Sequence, residues 1–313
     1  MNTIIRQLAR GTVLENFRIL KVLGGGGFSI VYLAEEIDSG NEFVIKEYMP
    51  GRLAMRTTEK TVMPRDDDAV IAFQKGRMMF FQEASTLATL QHENIVNVRS
   101  FFRANNTVYM ALYYESGGID LQDLIQKKSK KNLNERFLLD ILPPLIDALQ
   151  VIHDQGYLHL DIKPGNIHIR PDNRPLLLDF GAVHQRQLSR QDQIGHVSSQ
   201  GFSPVEQYRR NGYMGPWTDV YSLGATLYAC MAGHAPVAAN ERDINDTLKP
   251  ATIAFKKNYS QTLLKAIDWA MEVDPEARPQ TLQDFHEALP TECEDGAPEQ
   301  SLGSKLWGMI ASR

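Results

Sequence analysis

Two short stretches place oxygen ligands and a cation where a phosphoryl group could be transferred. His159-Leu160-Asp161-Ile162-Lys163-Pro164-Gly165-Asn166-Ile167 holds a carboxylate, an ammonium and an amide within one loop. Phosphoryl transfer needs those three: a carboxylate to orient the attacking hydroxyl, a positive charge for the moving phosphate, and an oxygen ligand for a hard metal. Leu176-Leu177-Leu178-Asp179-Phe180-Gly181 follows, an apolar strand that delivers one further carboxylate, a natural magnesium ligand. Upstream, Phe43-Val44-Ile45-Lys46 is a strand ending in a lysine among apolar residues. A lysine on the buried side keeps its proton only beside an anion, for which Glu83 is the candidate; standing alone, Lys46 reads as an exposed strand end. Leu23-Gly24-Gly25-Gly26-Gly27-Phe28-Ser29-Ile30-Val31 says little by itself, since a flexible turn explains four glycines as well. Its place between two strands disfavours a dinucleotide fold and a P-loop, both of which need a strand followed by a helix. Glycines there let backbone N–H groups approach phosphate oxygens.

The elements that must carry these residues fall into two unlike parts. Phe17–Leu23, Ser29–Glu35, Glu42–Glu47, Val96–Arg103 and Thr107–Leu112 are β-branched and aromatic runs separated by turn residues, and read as strands. One helix interrupts them, from about Asp68 to Leu90, with Asp68 as its cap and Met79, Phe80, Leu87 and Leu90 at helical spacing. Beyond Gly117-Gly118 helices dominate: Leu121–Gln126, Glu135–His153 (despite Pro143-Pro144), Trp217–Ala232, Gln261–Glu272 and Thr281–Leu289. The expected fold class is α+β and bilobal, a small β-rich first lobe with one main helix and a larger α-helical second lobe. We expect an N-terminal extension at 1–16, a first lobe at 17–113 with an insertion at 48–74, and a second lobe at 114–289. An acidic linker and short amphipathic tail fill 290–313.

Composition excludes several classes. The chain of 313 residues is 43% hydrophobic and 23% charged, as soluble globular proteins are. A net charge of −5 argues against a nucleic-acid or anionic-membrane binder, which needs a basic field. Cys230 and Cys293 are far apart and form no C-x-x-C, so a reducing cytoplasm fits better than a disulfide framework. The opening Met1–Arg10 is too short and too charged for a secretory signal. No Asp, Glu, Lys or Arg occurs between Asp219 and Glu241, yet Gly224, Gly233 and Pro236 interrupt that stretch, so a buried helix is expected there rather than a transmembrane one. The eight histidines lack ligand spacing, which makes a zinc site improbable, and His159 is expected to pack in the core. Asp66-Asp67-Asp68 reads as a solvated helix start rather than a metal site. Leu302, Leu306 and Met309-Ile310 share a helical face that a partner or membrane could take. Two nearby glycines favour a frayed or self-docked terminus instead.

Taken in order, these motifs resemble the eukaryotic-like protein kinase superfamily, and most closely its bacterial serine/threonine branch, from about Phe17 to Leu289. The resemblance implies ATP and magnesium as cofactors, with manganese as a substitute, and a cleft between the lobes to hold them. It implies an ATP-binding set of Leu23, Gly24, Gly25, Gly26, Gly27, Phe28, Ser29, Val31, Val44, Lys46, Leu112, Tyr113 and Glu115. Leu112 would be the gatekeeper, and the backbone of Tyr113 and Glu115 would meet adenine. Lys46 would hold the α- and β-phosphates, braced by Glu83, which lies nine residues before His92 as the family's spacing expects. Asp161 would be the catalytic base, Lys163 the γ-phosphate contact, and Asn166 and Asp179 the metal ligands. Ser199, seven residues before Glu206, matches the serine/threonine-specificity position, where its hydroxyl would bridge Asp161 and Lys163. Glu206 of Ser203-Pro204-Val205-Glu206 would pair with Arg278, and Asp219 would organise the catalytic loop. The implied partner is a protein substrate with a serine or threonine acceptor.

Three departures stand out. Ser29 replaces the third glycine, a mild change at the loop tip. Leu160 replaces the arginine that normally receives an activation-loop phosphate, so activity without such a phosphate is expected unless Arg186, Arg190 or the insertion substitutes a cation. The 48–74 insertion lengthens the connection from Lys46 to Glu83, and its role does not follow from the sequence. Two other classes share parts of the pattern. A catalytically weak or dead kinase-like scaffold would lack one of Lys46, Asp161 or Asp179, and none is missing. A small-molecule phosphotransferase shares the Asp/Asn/Asp core but lacks the docking platform formed by Ser199–Glu206 and Arg278.

Overall fold

The computed structural model describes residues 6–127, 133–179, 184–185, 198–209 and 212–291. It divides into two compact units, Met1–Gln91 with Val96–Ser116, and His92–Ile95 with Gly117–Arg313.

The first unit is built on a six-stranded antiparallel sheet. Its elements are β1 (Val13–Leu14), β2 (Phe17–Gly25), β3 (Ser29–Glu36), β4 (Glu42–Tyr48), β5 (Ala54–Arg56), β6 (Val62–Pro64), α1 (Ala69–Leu87), β7 (Val98–Ala104) and β8 (Thr107–Tyr113). The sheet order is β1-β2-β3-β4-β8-β7, and β5 pairs with β6 as a separate ribbon. Register decides which side chains share a face. Lys46 lies between Val31 and Met110, and Val44 between Leu33 and Leu112. Because side chains alternate, Val31, Val44, Lys46 and Leu112 stand on one face, and Tyr32, Glu47 and Tyr109 on the other.

Both faces are covered. On the Lys46 face, Tyr48 stacks obliquely on Phe73 and Phe80 of α1. An added methyl at Gly76 would overlap the Tyr48 hydroxyl, so only glycine lets α1 lie this close. The opposite face is covered by part of the insertion, and this gives the insertion a structural role that the sequence withheld. Arg56 of β5 donates to Glu47 at 2.5 Å, and Tyr32 and Tyr109 donate to the same carboxylate. Glu47 is wholly buried and Arg56 nearly so. Removing either partner would leave a charge uncompensated in the interior.

Both ends of α1 differ from expectation. Asp68 does not cap α1; its backbone is already helical, whereas a capping side chain needs an extended residue to reach back. Asp66 takes that role, accepting from the Ala69 N–H at 2.8 Å. The helix also stops at Leu87 rather than Leu90.

The second unit is mainly helical. In chain order it holds β9 (Ile119–Asp120), α2 (Leu121–Lys127), α3 (Glu135–Asp154), β10 (Tyr157–Leu158), β11 (Ile167–Ile169), β12 (Pro175–Leu177), β13 (His184–Gln185) and α4 (Val205–Tyr208). Then follow α5 (Pro216–Ala232), α6 (Ala239–Arg242), α7 (Ala251–Ala254), α8 (Gln261–Ala270) and α9 (Leu282–Glu287). The charge-free stretch after Asp219 is α5, almost entirely buried and ended by Gly233 in the left-handed conformation. Among the described residues no helix is long and apolar enough to cross a membrane. The proposed amphipathic tail, the linker before it from Glu292 on and Cys293 lie outside the described residues.

Candidate active site

In the first unit, the glycine run forms the bend between β2 and β3, closed by a bond from Gly26 N–H to the Ser29 carbonyl. Leu23 and Phe28 flank it as exposed side chains. A methyl added at Gly24, Gly26 or Gly27 would meet no protein atom, and none of the three has positive φ. The fold itself therefore does not demand glycine there, whereas close approach of an anionic ligand to bare backbone does. Lys46 donates to Glu83 at 3.3 Å, and both side chains are buried. The ammonium also lies 5.6 Å from the centre of the Phe80 ring, a further favourable contact. Leu112 is buried, and the Tyr113 N–H donates to the Asn97 carbonyl at 3.1 Å.

The second unit gathers Asp161, Lys163, Asn166 and Ser199 into one cluster. Lys163 Nζ donates to both Asp161 oxygens at 3.0 and 2.8 Å, and to Ser199 Oγ at 2.9 Å. Ser199 in turn donates to Asp161 Oδ1 at 2.6 Å. This is the bridge that the family resemblance implies. The Asn166 amide donates to the Asp161 carbonyl and Oδ2, which turns its own side-chain oxygen away as a free hard donor. Leu178 N–H bonds the Asn166 carbonyl at 3.0 Å and so ties the strand that delivers Asp179 to the same loop. Asp179 is half-buried; Phe180 and Gly181 lie outside the described residues.

Behind the loop sits Asp219, fully buried at the start of α5. It accepts from the N–H groups of His159 and Leu160 at 2.8 Å each, and bonds His153 Nε2 at 2.7 Å. Those bonds hold Leu160 at φ +63°, a left-handed conformation that a leucine adopts only when its surroundings fix it. Gln207 secures the Leu160 carbonyl from the other side at 2.8 Å. Burial pushes the Asp219 carboxyl up, but the hydrogen bonds from His153 and the His159 N–H outweigh it and hold it below the usual carboxylate range. Burial works the other way on His159, lowering it, and this wholly enclosed ring packs in the core as expected. Glu206 and Arg278 form a buried two-point pair at 2.8 and 3.1 Å, with the guanidinium 4.7 Å from the Tyr221 ring centre.

Asp219→Ala is therefore expected to destabilise the fold by about 2–4 kcal/mol, because two buried N–H groups lose their acceptor. It should also release Leu160 from its strained conformation. Chemical denaturation with turnover measured in parallel checks this, and wild-type stability in the variant contradicts it.

The family resemblance pointed to Ser199, Glu206, Asp219 and Arg278. It did not point to His153 or Gln207, which belong to none of the motifs that carry it. Among the described residues no three His, Cys, Asp or Glu side chains converge as a metal cage. Asn166 and Asp179 are instead the kind of sparse oxygen donor set that magnesium takes beside phosphates.

The Protein kinase domain description matches residues 17–289. Serine/threonine-protein kinase D of Synechocystis sp. is 28% identical over 299 residues, covering 91% of this chain and 54% of its own. Serine/threonine-protein kinase PknA of Nostoc sp. is 29% identical over 289 residues, covering 88% and 47% respectively. The chain thus spans about half the length of these curated relatives. The solved structure of PpkA-294 in its apo form is 37% identical, with a TM-score of 0.79, covering 91% of this chain and 100% of its own. The chain belongs to the protein kinase family, in its bacterial serine/threonine branch.

Proposed function

We propose that the protein is a serine/threonine kinase that transfers the γ-phosphate of magnesium-ATP to protein hydroxyls. The Asp161–Lys163–Ser199 triangle carries this reading. Asp161 orients the acceptor hydroxyl and takes its proton, while Lys163 offsets charge on the moving phosphoryl group. Ser199 holds those two at a fixed separation and marks the acceptor as serine or threonine. Lys46, set by Glu83, holds the α- and β-phosphates, and backbone N–H groups from Gly24 to Ser29 cover them. Val31, Val44 and Leu112 supply an apolar face for adenine, with the backbone of Tyr113 and Glu115 at its edge. Asn166 and Asp179 would hold magnesium, which neutralises polyphosphate charge.

Activity should not require a phosphate on the activation segment. Leu160 is wholly buried and offers no cation. The described end of that segment is ordered by its own bonds: Ser199 N–H reaches Ser203 Oγ at 2.9 Å, and Phe202 and Ser203 N–H reach the Ser199 carbonyl. Ser203 is buried and Ser199 engaged, and Ser189 lies outside the described residues. The buried free thiol of Cys230 suits a reducing cytoplasm. The test combines labelled ATP, an exogenous protein substrate and phosphoamino-acid analysis, with enzyme either untreated or pretreated with a phosphatase that is then removed. We expect phosphoserine or phosphothreonine at similar initial rates. Phosphotyrosine as the main product overturns the reading of Ser199. A large loss of rate that recovers on preincubation with ATP overturns independence from phosphorylation.

A further inference from the structure

The bend that contains the glycine run is held from outside its own hairpin, and its tip carbonyls are all engaged. Arg6 donates to the Gly26 carbonyl at 2.7 Å and to the Met49 carbonyl at 3.3 Å. Gly51 N–H bonds the Gly27 carbonyl at 2.9 Å, and Met49 N–H bonds the Phe28 carbonyl at 2.8 Å. A glycine run left to itself samples many conformations, and ordering it around a ligand costs conformational entropy. Here that ordering is already present.

The latch is itself anchored on buried charge. The Arg6 carbonyl accepts from Arg56 Nε at 3.1 Å, and Arg56 is fixed by Glu47 beneath the sheet. Leu8 N–H bonds the Tyr32 hydroxyl at 3.1 Å, and that hydroxyl donates to the same glutamate at 2.8 Å. The Arg6 guanidinium lies flat over Gly51, where an added methyl would come within 2.9 Å of Cζ and Nη2. Arg65 Nε fixes the Gly51 carbonyl at 3.0 Å. The segment before β1, the insertion and the face of the sheet opposite Lys46 thus form one connected network that ends on the glycine bend.

We propose that Arg6 is a positioning residue that preorganises the glycine-rich bend for nucleotide, with Gly51 as its seat and Arg56–Glu47 as its anchor. The inference rests on the reading of that bend as the cover of the ATP phosphates. Arg6 touches no reacting atom, so its loss should weaken nucleotide binding and leave the transfer step alone. The experiment measures steady-state kinetics in ATP, thermal stability, and hydrogen exchange of the Gly24–Phe28 amides with and without ATP. It uses the full chain, unaltered and as Arg6→Ala, Arg6→Lys and Gly51→Ala. For Arg6→Ala we expect KM for ATP to rise about fivefold, the factor carried by one hydrogen bond of about 1 kcal/mol, with kcat held. Exchange at the bend should quicken without nucleotide. Arg6→Lys, which keeps the charge on a single donor nitrogen, should fall in between, and Gly51→Ala should follow Arg6→Ala because the methyl displaces the guanidinium. If Arg6→Ala does not fold, the other two variants carry the test. An unchanged KM in the variants that fold, while ATP still protects the bend in the unaltered protein, overturns the latch. So does a fall in melting temperature with no change in KM, which marks a merely structural role. If ATP gives the bend no protection in the unaltered protein, the reading of the bend as phosphate cover fails, and the latch fails with it.

Discussion

Asp179→Ala is expected to abolish phosphotransfer while leaving the second unit folded. The carboxylate follows β12, whose register with β11 is set by backbone bonds that do not involve the Asp179 side chain. Asp179 is half-buried, so its truncation empties no closed core site. Its loss would instead leave polyphosphate charge uncompensated in the transition state, where electrostatic stabilisation is the largest catalytic contribution. Turnover with magnesium-ATP should fall by on the order of 10³-fold. Circular dichroism and thermal melting should match the unaltered protein. A folded variant with unaltered turnover would show that the metal assignment is wrong.

Lys46→Met should cause a comparable loss, and Glu83→Gln a partial one. On the proposed function, lysine would supply the charge that meets the phosphates and glutamate would fix where that charge sits. Their separation of 3.3 Å in a buried setting means that each depends on the other. A double-mutant cycle on log kcat/KM should therefore give a coupling of about 0.5–3 kcal/mol. Strict additivity would refute the pairing. The Lys46→Met protein should also melt lower, because Glu83 is then buried without its partner.

The legible parts of this molecule were those in which one residue type has one chemical use. Glycines in a bend and a lysine on an apolar strand say little singly, but in order with a carboxylate–amide loop they restrict the chemistry before any fold is known. The family resemblance at Ser199 implied a bridge that the structure closes at 2.6 and 2.9 Å. Strand positions came out within a residue or two, because hydrophobic runs bounded by turn residues mark them. Glu47 was illegible for a physical reason. An acidic residue one position after Lys46 reads as the solvent side of a half-exposed strand, and only the insertion's arginine makes its burial tolerable. That arginine lies in a segment with no periodicity long enough to assign. Asp68 was misjudged as a cap because three aspartates in a row offer the same side chain, and backbone conformation alone decides which one accepts.

The most direct test of the central claim compares ATP labelled at the γ- and at the α-phosphate, using the unaltered protein and Asp161→Asn with an exogenous protein substrate. Magnesium-dependent incorporation is expected from the γ-label only, on serine or threonine, with near-complete loss in Asp161→Asn while nucleotide binding persists. Two results would contradict it: no transfer at all by an unaltered protein that still binds ATP, or γ-label appearing on a small-molecule acceptor and never on protein.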